Sequence, residues 1–473
     1  MRRVVIVGGG ISGLTTALHL QDRAAEVDGG VDVIVLEASS LPGGNIQTDR
    51  VEGFTMERGP NGYLDNVPTT PALVRRLGIE DQVQRSDEAA ANRYLFRDGR
   101  LHLLPSGPLG FIKSPVLSVP GRLRVIGEPF ARPKPRGVDE TIFDFAARRI
   151  GTEAASVLIE AMVSGVFAGN VKELSLAASF PKMAAMEEEH GGLVKAMLAR
   201  MREKRAAQKE VTTRRARGED VGELVQPGGP AGPGGTLTSF TEGLDTLPKA
   251  AAGELGAVLR YGQQAVSVET AGSAGSGGGE RWIVRTASGD TLPADAVIVA
   301  VPSPQAAPIL ASSDEGLSKT ISEIKTAGLA VVAVALDASE MGGEPRGFGF
   351  LVPRGTGPRI LGCLWDSSVF PGRAPEGSVL LRAMIGGAHD PGAVDLPDED
   401  LVHLVRKDLS LTMALEADPL VTRVYRWPIG IGQYTVGHLQ RIEKIHSRLA
   451  SLPGLWLAGS SFYGISMNAC IEK

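Results

Sequence analysis

The chain opens on a continuous β-branched run, "VVIV", which meets three glycines and then apolar residues at helical spacing. This pattern predicts a strand over 3–7, a helix over 12–20 and a second strand over 31–37, an α/β opening. Between Asp139 and Met162 apolar positions recur every three or four residues, at Ile142, Phe145, Ala146, Ile150, Leu158, Ile159 and Met162. They predict two amphipathic helices broken near Gly151. Further along, "AVSVE", "RWIVRT" and "AVIVAVP" read as strands. "GLAVVAVAL", "GFGFLVP", "RILGCLWD" and "SVLLRAMIGG" then follow at short intervals and predict an antiparallel sheet. A helical pattern over 398–415 precedes the strand "TRVYRW", and no internal repeat is evident.

Two stretches break these patterns. Residues 200–223 are rich in charge and lead into "PGGPAGPGG", from which no core can form, so 209–235 is expected to be an exposed, flexible linker. "SAGSGGGE" is expected to be a hairpin loop.

At 473 residues the chain exceeds one ordinary core and implies two or three domains. With 43% hydrophobic and 22% charged residues it has the composition of a soluble, cored protein. A net charge of −5 offers no global basic field, so no nucleic-acid partner is expected. Cys363 and Cys470 lack C-x-x-C spacing, which argues against a structural disulfide or zinc site and fits a reducing compartment. Glycines interrupt the first apolar run after four residues, so no signal or transit peptide is expected, and no run of about 18 apolar residues predicts a membrane span.

The candidate chemistry lies in the glycine turns. "VVIVGGGISGL" sets Gly8, Gly9, Gly10, Ile11, Ser12 and Gly13 between a strand and a helix as G-x-G-x-x-G. Such glycines let the backbone approach a pyrophosphate at a helix N-terminus. Glu37 ends the next strand, where a carboxylate meets a ribose diol, and Ala38-Ser39 after it supply no arginine for a 2′-phosphate. A glycine turn made for packing alone is the competing reading. Further glycine turns follow, Gly43-Gly44-Asn45 and Gly59-Pro60-Asn61-Gly62, suiting a long cofactor extended across the domain. The sequence ends on another strand-to-helix turn, "LWLAGSSFYGISMNACIEK".

Taken in order, the N-terminal turn, "GGN", "ERGPNG", "NRYLF", "SGVFAGNVKELS", "GFGFLVP", "LRAMIGG", "IGQYTVGH" and "LAGSSFYGISMNACIE" resemble the oxygen-dependent protoporphyrinogen oxidases. That flavoprotein family is related to the amine oxidases and carotenoid desaturases. The resemblance runs from the first strand to the last residue, apart from 203–235. It implies an α/β fold: an FAD-binding Rossmann-like domain of amine oxidase type, a mixed β-sheet substrate domain and an inserted α-helical domain. Residues 1–88, 237–302 and 452–473 would form the FAD-binding domain, 89–208 the helical, membrane-associated one, and 303–451 the substrate-binding domain.

By the same resemblance FAD would be held by Gly8 to Gly13, with Glu37 and Ala38 at the ribose. Gly44, Asn45, Gly59, Pro60, Asn61 and Gly62 would lie along the pyrophosphate and flavin. Ala265 or Val266 would touch the adenine side through backbone, and Gly464-Ile465-Ser466 would lie against the isoalloxazine, near a helix N-terminus that favours a reduced, anionic ring. Arg93 would pair with a porphyrinogen propionate, against a solvated surface arginine as the plain alternative. Phe348, Leu351, Leu364 and Met384 would sandwich the macrocycle, and Gly165 would approach it through backbone. Without the resemblance, the first four read as core and Gly165 as a helix stop.

No acid, base or metal site stands out; the seven histidines are scattered, and His102 reads as structural. The implied activity is oxidation of protoporphyrinogen IX by dioxygen, with hydrogen peroxide released, in heme biosynthesis. Coproporphyrinogen III is the nearest rival. An amine oxidase or desaturase is disfavoured by Gly328, where amine oxidases carry lysine, with Lys325 three residues earlier. A non-enzymatic flavin or tetrapyrrole carrier is the third reading, suggested by Ala469 in place of the family's acid and by the stop at Lys473, where the family continues for several helical turns. Either flavin affinity suffers or the sequence is an incomplete version. "LGFIKSPVLSVPGRLRVIGEPF" mixes apolar and basic residues as an interfacial segment does, or is a buried helix with cationic edges. The family implies a homodimer, cytoplasmic and peripherally bound to membrane.

Overall fold

The computed structural model describes residues 2–26, 28–105, 110, 113–134, 137–199, 201–202, 235–271, 281–341 and 344–473. The linker at 209–234 and the loop "SAGSGGGE" lie outside the described residues.

A five-stranded parallel sheet organises the first part of the molecule, in the order Leu259–Arg260, Val31–Leu36, Arg2–Val7, Ala296–Val299, Leu455–Leu457. Both faces are covered, which is why its strands are near-continuous apolar runs rather than alternating ones. On one face Val4, Ile6, Val33 and Val35 pack against the helices Ile11–Arg23 and Thr246–Leu255 through Leu14, Leu18, Leu247 and Ala251. On the other, Val5, Val7, Ile34, Val297 and Val299 meet Val268, Trp282 and Val284 of a three-stranded antiparallel sheet, together with Leu310, Ile321 and Ile445 of three helices.

The second sheet has seven strands, in the order Val421–Gly432, Thr326–Asp337, Ser378–Gly386, Gly362–Leu364, Gly349–Leu351, Arg93–Arg97, Arg100–Leu103. Its central four are antiparallel neighbours, as the apolar runs predict. Arg93–Leu103, at the start of the segment expected to be helical, instead extends this sheet. Gly349 pairs with Arg93 in parallel register, which brings "NRYLF" beside "GFGFL". The strand over "TRVYRW" continues to Gly432 in spite of Pro428, with a bulge opposite Ala327 and Leu329. A bulge leaves a residue outside the ladder, which is where a strand tolerates proline.

The predicted break at Gly151 is real. Thr141 accepts the Asp144 N–H at 3.0 Å to start the helix Ile142–Ile150, and Gly151, with φ of +93°, ends it. Helical structure resumes and runs, with a π-turn over Ala155–Ile159, to Phe167.

Candidate active site

The C-terminal edge of the parallel sheet opens onto one cavity of about 1670 Å³, lined on the far side by the seven-stranded sheet and the helix Glu160–Phe167. Its walls are mostly apolar.

At the sheet edge, the first turn is built by three glycines for three different reasons. Gly8 has φ of +109°, and a Cβ there would press on Ala300 O at 2.9 Å. At Gly13 a Cβ would collide with Gly8 O at 2.0 Å, so this glycine serves close packing of helix on strand. Gly10 differs: φ is −70°, and a Cβ would meet nothing within 4 Å because it points into the cavity. A helix starts here with no side-chain cap, leaving its first N–H groups turned to the open space.

Glu37 directly follows the strand Val31–Leu36, with Oε2 accepting the Gly9 N–H at 2.7 Å and Oε1 accepting the Ser39 N–H at 2.8 Å. The carboxylate is thereby aimed at the cavity and retains lone pairs for a diol. Gly43 donates to Gly9 O at 2.8 Å, which seats the second glycine turn against the first. Gly44, with φ of +59°, faces the cavity with Gly10 Cα as its nearest neighbour at 3.5 Å. Gly59 could not carry a Cβ without striking Asn45 O at 2.3 Å. Asn61 Nδ2 is buried with no hydrogen-bond partner. A glycine cradle at a helix start, a strand-end carboxylate and an orphaned amide fit a dinucleotide cofactor lying along this wall.

Most of the residues singled out in the sequence meet here. Gly8, Gly10, Ile11, Ser12, Glu37, Ala38, Gly44, Asn45, Gly59, Pro60, Asn61, Gly62, Ala265, Val266, Ile465 and Ser466 line the cavity, and so do Arg93, Gly165, Phe348, Leu351, Leu364 and Met384. Gly9, Gly13 and Gly464 stand behind the wall rather than in it. Gly9 and Gly464 act through their N–H groups on Glu37 and on the Tyr434 hydroxyl.

On the side of the cavity facing the seven-stranded sheet, the Arg93 guanidinium lies over the Phe348 ring, 4.8 Å from its centroid. Burial pulls the Arg93 pKa below its usual value. Gly165 passes so close to Leu351 that a Cβ would reach Cδ2 at 2.5 Å. His102 is buried in its strand, with Nε2 3.1 Å from Arg97 O, and is not part of the wall. Neither Lys325 nor Gly328 lines the cavity.

Several wall residues went unrecognised in the sequence. Val301, Pro302 and Gln305 follow the C-terminal end of the strand Ala296–Val299, where ligands bind in open α/β sheets, so a topological signal existed for them. Trp427, Ile429 and Ile431 had no such signal. Arg382 is the other arginine in the wall; it is 1% exposed and held by Asp366, with Nε–Oδ2 2.8 Å.

Comparison with known proteins agrees with this architecture. Residues 11–473 match the family described as flavin containing amine oxidoreductase. A coproporphyrinogen III oxidase of Bacillus subtilis is 30% identical, over 100% of this chain and 96% of its own. The chloroplastic protoporphyrinogen oxidase of Oryza sativa is 33% identical over 99% of this chain and 86% of its own. Among solved structures, one assigned to a protoporphyrinogen oxidase of Exiguobacterium sp. 255-15 superposes with a TM-score of 0.79 at 25% identity, over 100% of this chain and 96% of that one. The glycine cradle, the strand-end glutamate and a match spanning nearly the whole chain carry one conclusion: this protein belongs to the flavin-containing amine oxidoreductases.

Proposed function

We propose that this chain is an FAD-dependent oxidase converting protoporphyrinogen IX to protoporphyrin IX, with dioxygen taking up the hydrogen as hydrogen peroxide. The observation that carries this reading is one continuous cavity joining the dinucleotide cradle to an apolar compartment that includes Arg93. At about 1670 Å³ it exceeds the ~300–1,000 Å³ of an ordinary single-ligand pocket, which suits a cofactor and a flat tetrapyrrole together.

Bound FAD supplies the ring that accepts hydride from a porphyrinogen carbon. The protein contributes binding and alignment. Gly10 and Gly44 would leave room for the pyrophosphate, Glu37 would take the ribose, and the turn at Ile465-Ser466 would flank the ring. Phe348, Leu351, Leu364 and Met384 exclude water and clasp the macrocycle, while Arg93 offers a planar fork to a propionate. Among the described residues, the wall contains no histidine, lysine or aspartate. Its carboxylates are Glu37 and Glu472, and hydride removal from a porphyrinogen needs alignment above all. Amine oxidation is disfavoured because Gly328 stands where amine oxidases carry lysine, and Lys325 does not line the wall.

A second reading is oxidation of coproporphyrinogen III, favoured by the Bacillus relative aligned over 100% of this chain. Protoporphyrinogen IX has two propionates and coproporphyrinogen III has four. The arginines of the described wall are Arg93 and Arg382, and Arg382 is committed to Asp366, which favours the substrate with fewer carboxylates. Initial rates on both porphyrinogens, followed by porphyrin fluorescence, test the choice; faster coproporphyrin formation overturns it. Protein that stays colourless and refuses FAD overturns the whole reading.

The apolar helix Val119–Ile126 supports peripheral membrane attachment of a cytoplasmic enzyme. Val119, Leu123 and Ile126 lie on one face and are exposed, Phe130 just beyond is 89% exposed, and Arg122 and Arg124 belong to the same helix. Among the described residues no helix is long and apolar enough to cross a membrane. Homodimerisation rests on the family resemblance alone.

A further inference from the structure

Tyr434 stands where three parts of the molecule join. It follows the strand Val421–Gly432 of the seven-stranded sheet and is 3% exposed. Its ring stacks on His438, with centroids 4.0 Å apart and planes at 18°. Its carbonyl accepts the N–H of Ser175 at 2.8 Å, and its neighbour Thr435 bridges to Leu174, so the helical segment is tied to this point.

The hydroxyl is turned toward the other sheet. It donates to Ser460 O at 2.5 Å and accepts the Gly464 N–H at 2.8 Å. One oxygen therefore pins both ends of the loop Ser460–Gly464, which follows the last strand of the parallel sheet. Donation to the carbonyl leaves the lone pairs for the amide, so both bonds need the phenol. Gly464 itself has φ of +137°, and a Cβ there would strike Ala469 Cβ at 2.6 Å, so the turn has no slack. Ser460, Ile465 and Ser466 face the cavity. Ile465 also packs on the cluster containing Phe167.

We propose that Tyr434 is a positioning residue: its hydroxyl sets the placement of the Gly464-Ile465-Ser466 turn against the flavin ring. The role rests on the reading of the cavity given under Proposed function. No contact of the Tyr434 ring with cofactor or substrate is required. The ring supplies rigidity through the stack, and the oxygen supplies the link between the sheets.

Tyr434→Phe keeps the ring and removes the oxygen, leaving Gly464 N–H and Ser460 O to find other partners. Three measurements test it: amide hydrogen exchange over 460–466 in flavin-free protein, the visible flavin spectrum of the loaded protein, and kcat against KM with protoporphyrinogen IX. The expected result is faster exchange over 460–466, a changed flavin spectrum and kcat lower by about 10–100-fold, with KM changed less than about twofold. Tyr463→Phe is the control. Its hydroxyl lies 2.9 Å from His446 Nε2, away from the cavity wall, and its removal should leave the flavin spectrum and kcat unaltered. Unchanged exchange and spectrum in Tyr434→Phe, or a change in KM alone, overturns the role by itself. A wild-type chain that takes up no flavin overturns both the role and the functional reading.

Discussion

Arg382, in the cavity wall, meets the buried Asp366 behind it, Nε to Oδ2 at 2.8 Å, and from this anchored position Arg382 also donates to the carbonyls of Glu57 and Gly59. A charge on the seven-stranded sheet thus holds the Gly59–Gly62 turn of the cavity wall. Removing Asp366 leaves the Arg382 charge, only 1% exposed, without its counter-ion. Asp366→Ala should lower unfolding stability by about 3–5 kcal/mol, measured by denaturant titration of the loaded protein. A loss below about 1 kcal/mol would mean that water reaches the pair.

Gly10 and Gly13 should behave differently although both belong to one motif. Gly10→Ala puts a methyl into the cavity and meets no protein atom, so the fold should survive while FAD affinity drops at least tenfold. Gly13→Ala drives a methyl into Gly8 O, 2.0 Å from its ideal position, and should reduce stability and flavin binding together. Thermal melts beside flavin fluorescence titrations separate the two, and equal behaviour would remove the distinction.

Glu37→Gln keeps the side chain's size but gives up one acceptor oxygen and the charge. Hydrogen bonds to a charged group contribute about 1.5–3 kcal/mol each, so FAD should bind roughly 10–100-fold more weakly. Equilibrium titration of apoprotein is the check. Unaltered affinity would show that Glu37 serves only Gly9 and Ser39.

His438 is 2% exposed, Nδ1 has no hydrogen-bond partner, and burial pushes its pKa down to about 4, with Arg441 adding to the shift. The unfolded chain takes up this proton near 6.5, the folded chain only near 4. Below about 6.5 the unfolded state binds more protons, so stability is full above that pH and falls as pH drops toward 4. At about 1.4 kcal/mol per pH unit the loss is of order 3 kcal/mol. Urea unfolding between pH 7 and about 4 should show this slope, and His438→Gln should flatten it. An identical slope in the variant would assign the effect elsewhere.

The exposed face of Val119, Leu123, Ile126 and Phe130 should bind lipid. Leu123→Glu with Phe130→Glu should abolish co-sedimentation with vesicles containing anionic lipid and leave porphyrinogen turnover in detergent unchanged. Indifference of the unmodified protein to vesicles would remove the membrane proposal.

Much of the cofactor half was legible before any fold was known. Gly8, Gly10 and Glu37 announce themselves because a strand, a tight turn and a helix start are local events, spelled by neighbouring residues. Arg382 and Tyr434 fall within "LRAMIGG" and "IGQYTVGH", but no local pattern there announces their role: one sits in an apolar strand, the other in a short polar stretch. Arg93–Leu103 was expected in a helical segment, and its strands became evident only from pairing with Gly349–Leu351, a partner more than 250 residues away.

By itself, the order of residues in this chain determined the periods of its strands and helices, the places where only glycine could turn, and where a carboxylate would follow a strand. Tertiary structure alone decided that Leu455–Leu457 would lie two strands from Arg2–Val7, with Ala296–Val299 between them. It also decided that a phenol after one sheet would clasp the turn leaving another. The reason is physical: periodicity and turn propensity act over a few residues, whereas strand neighbours and buried partners depend on which distant surfaces lose water together.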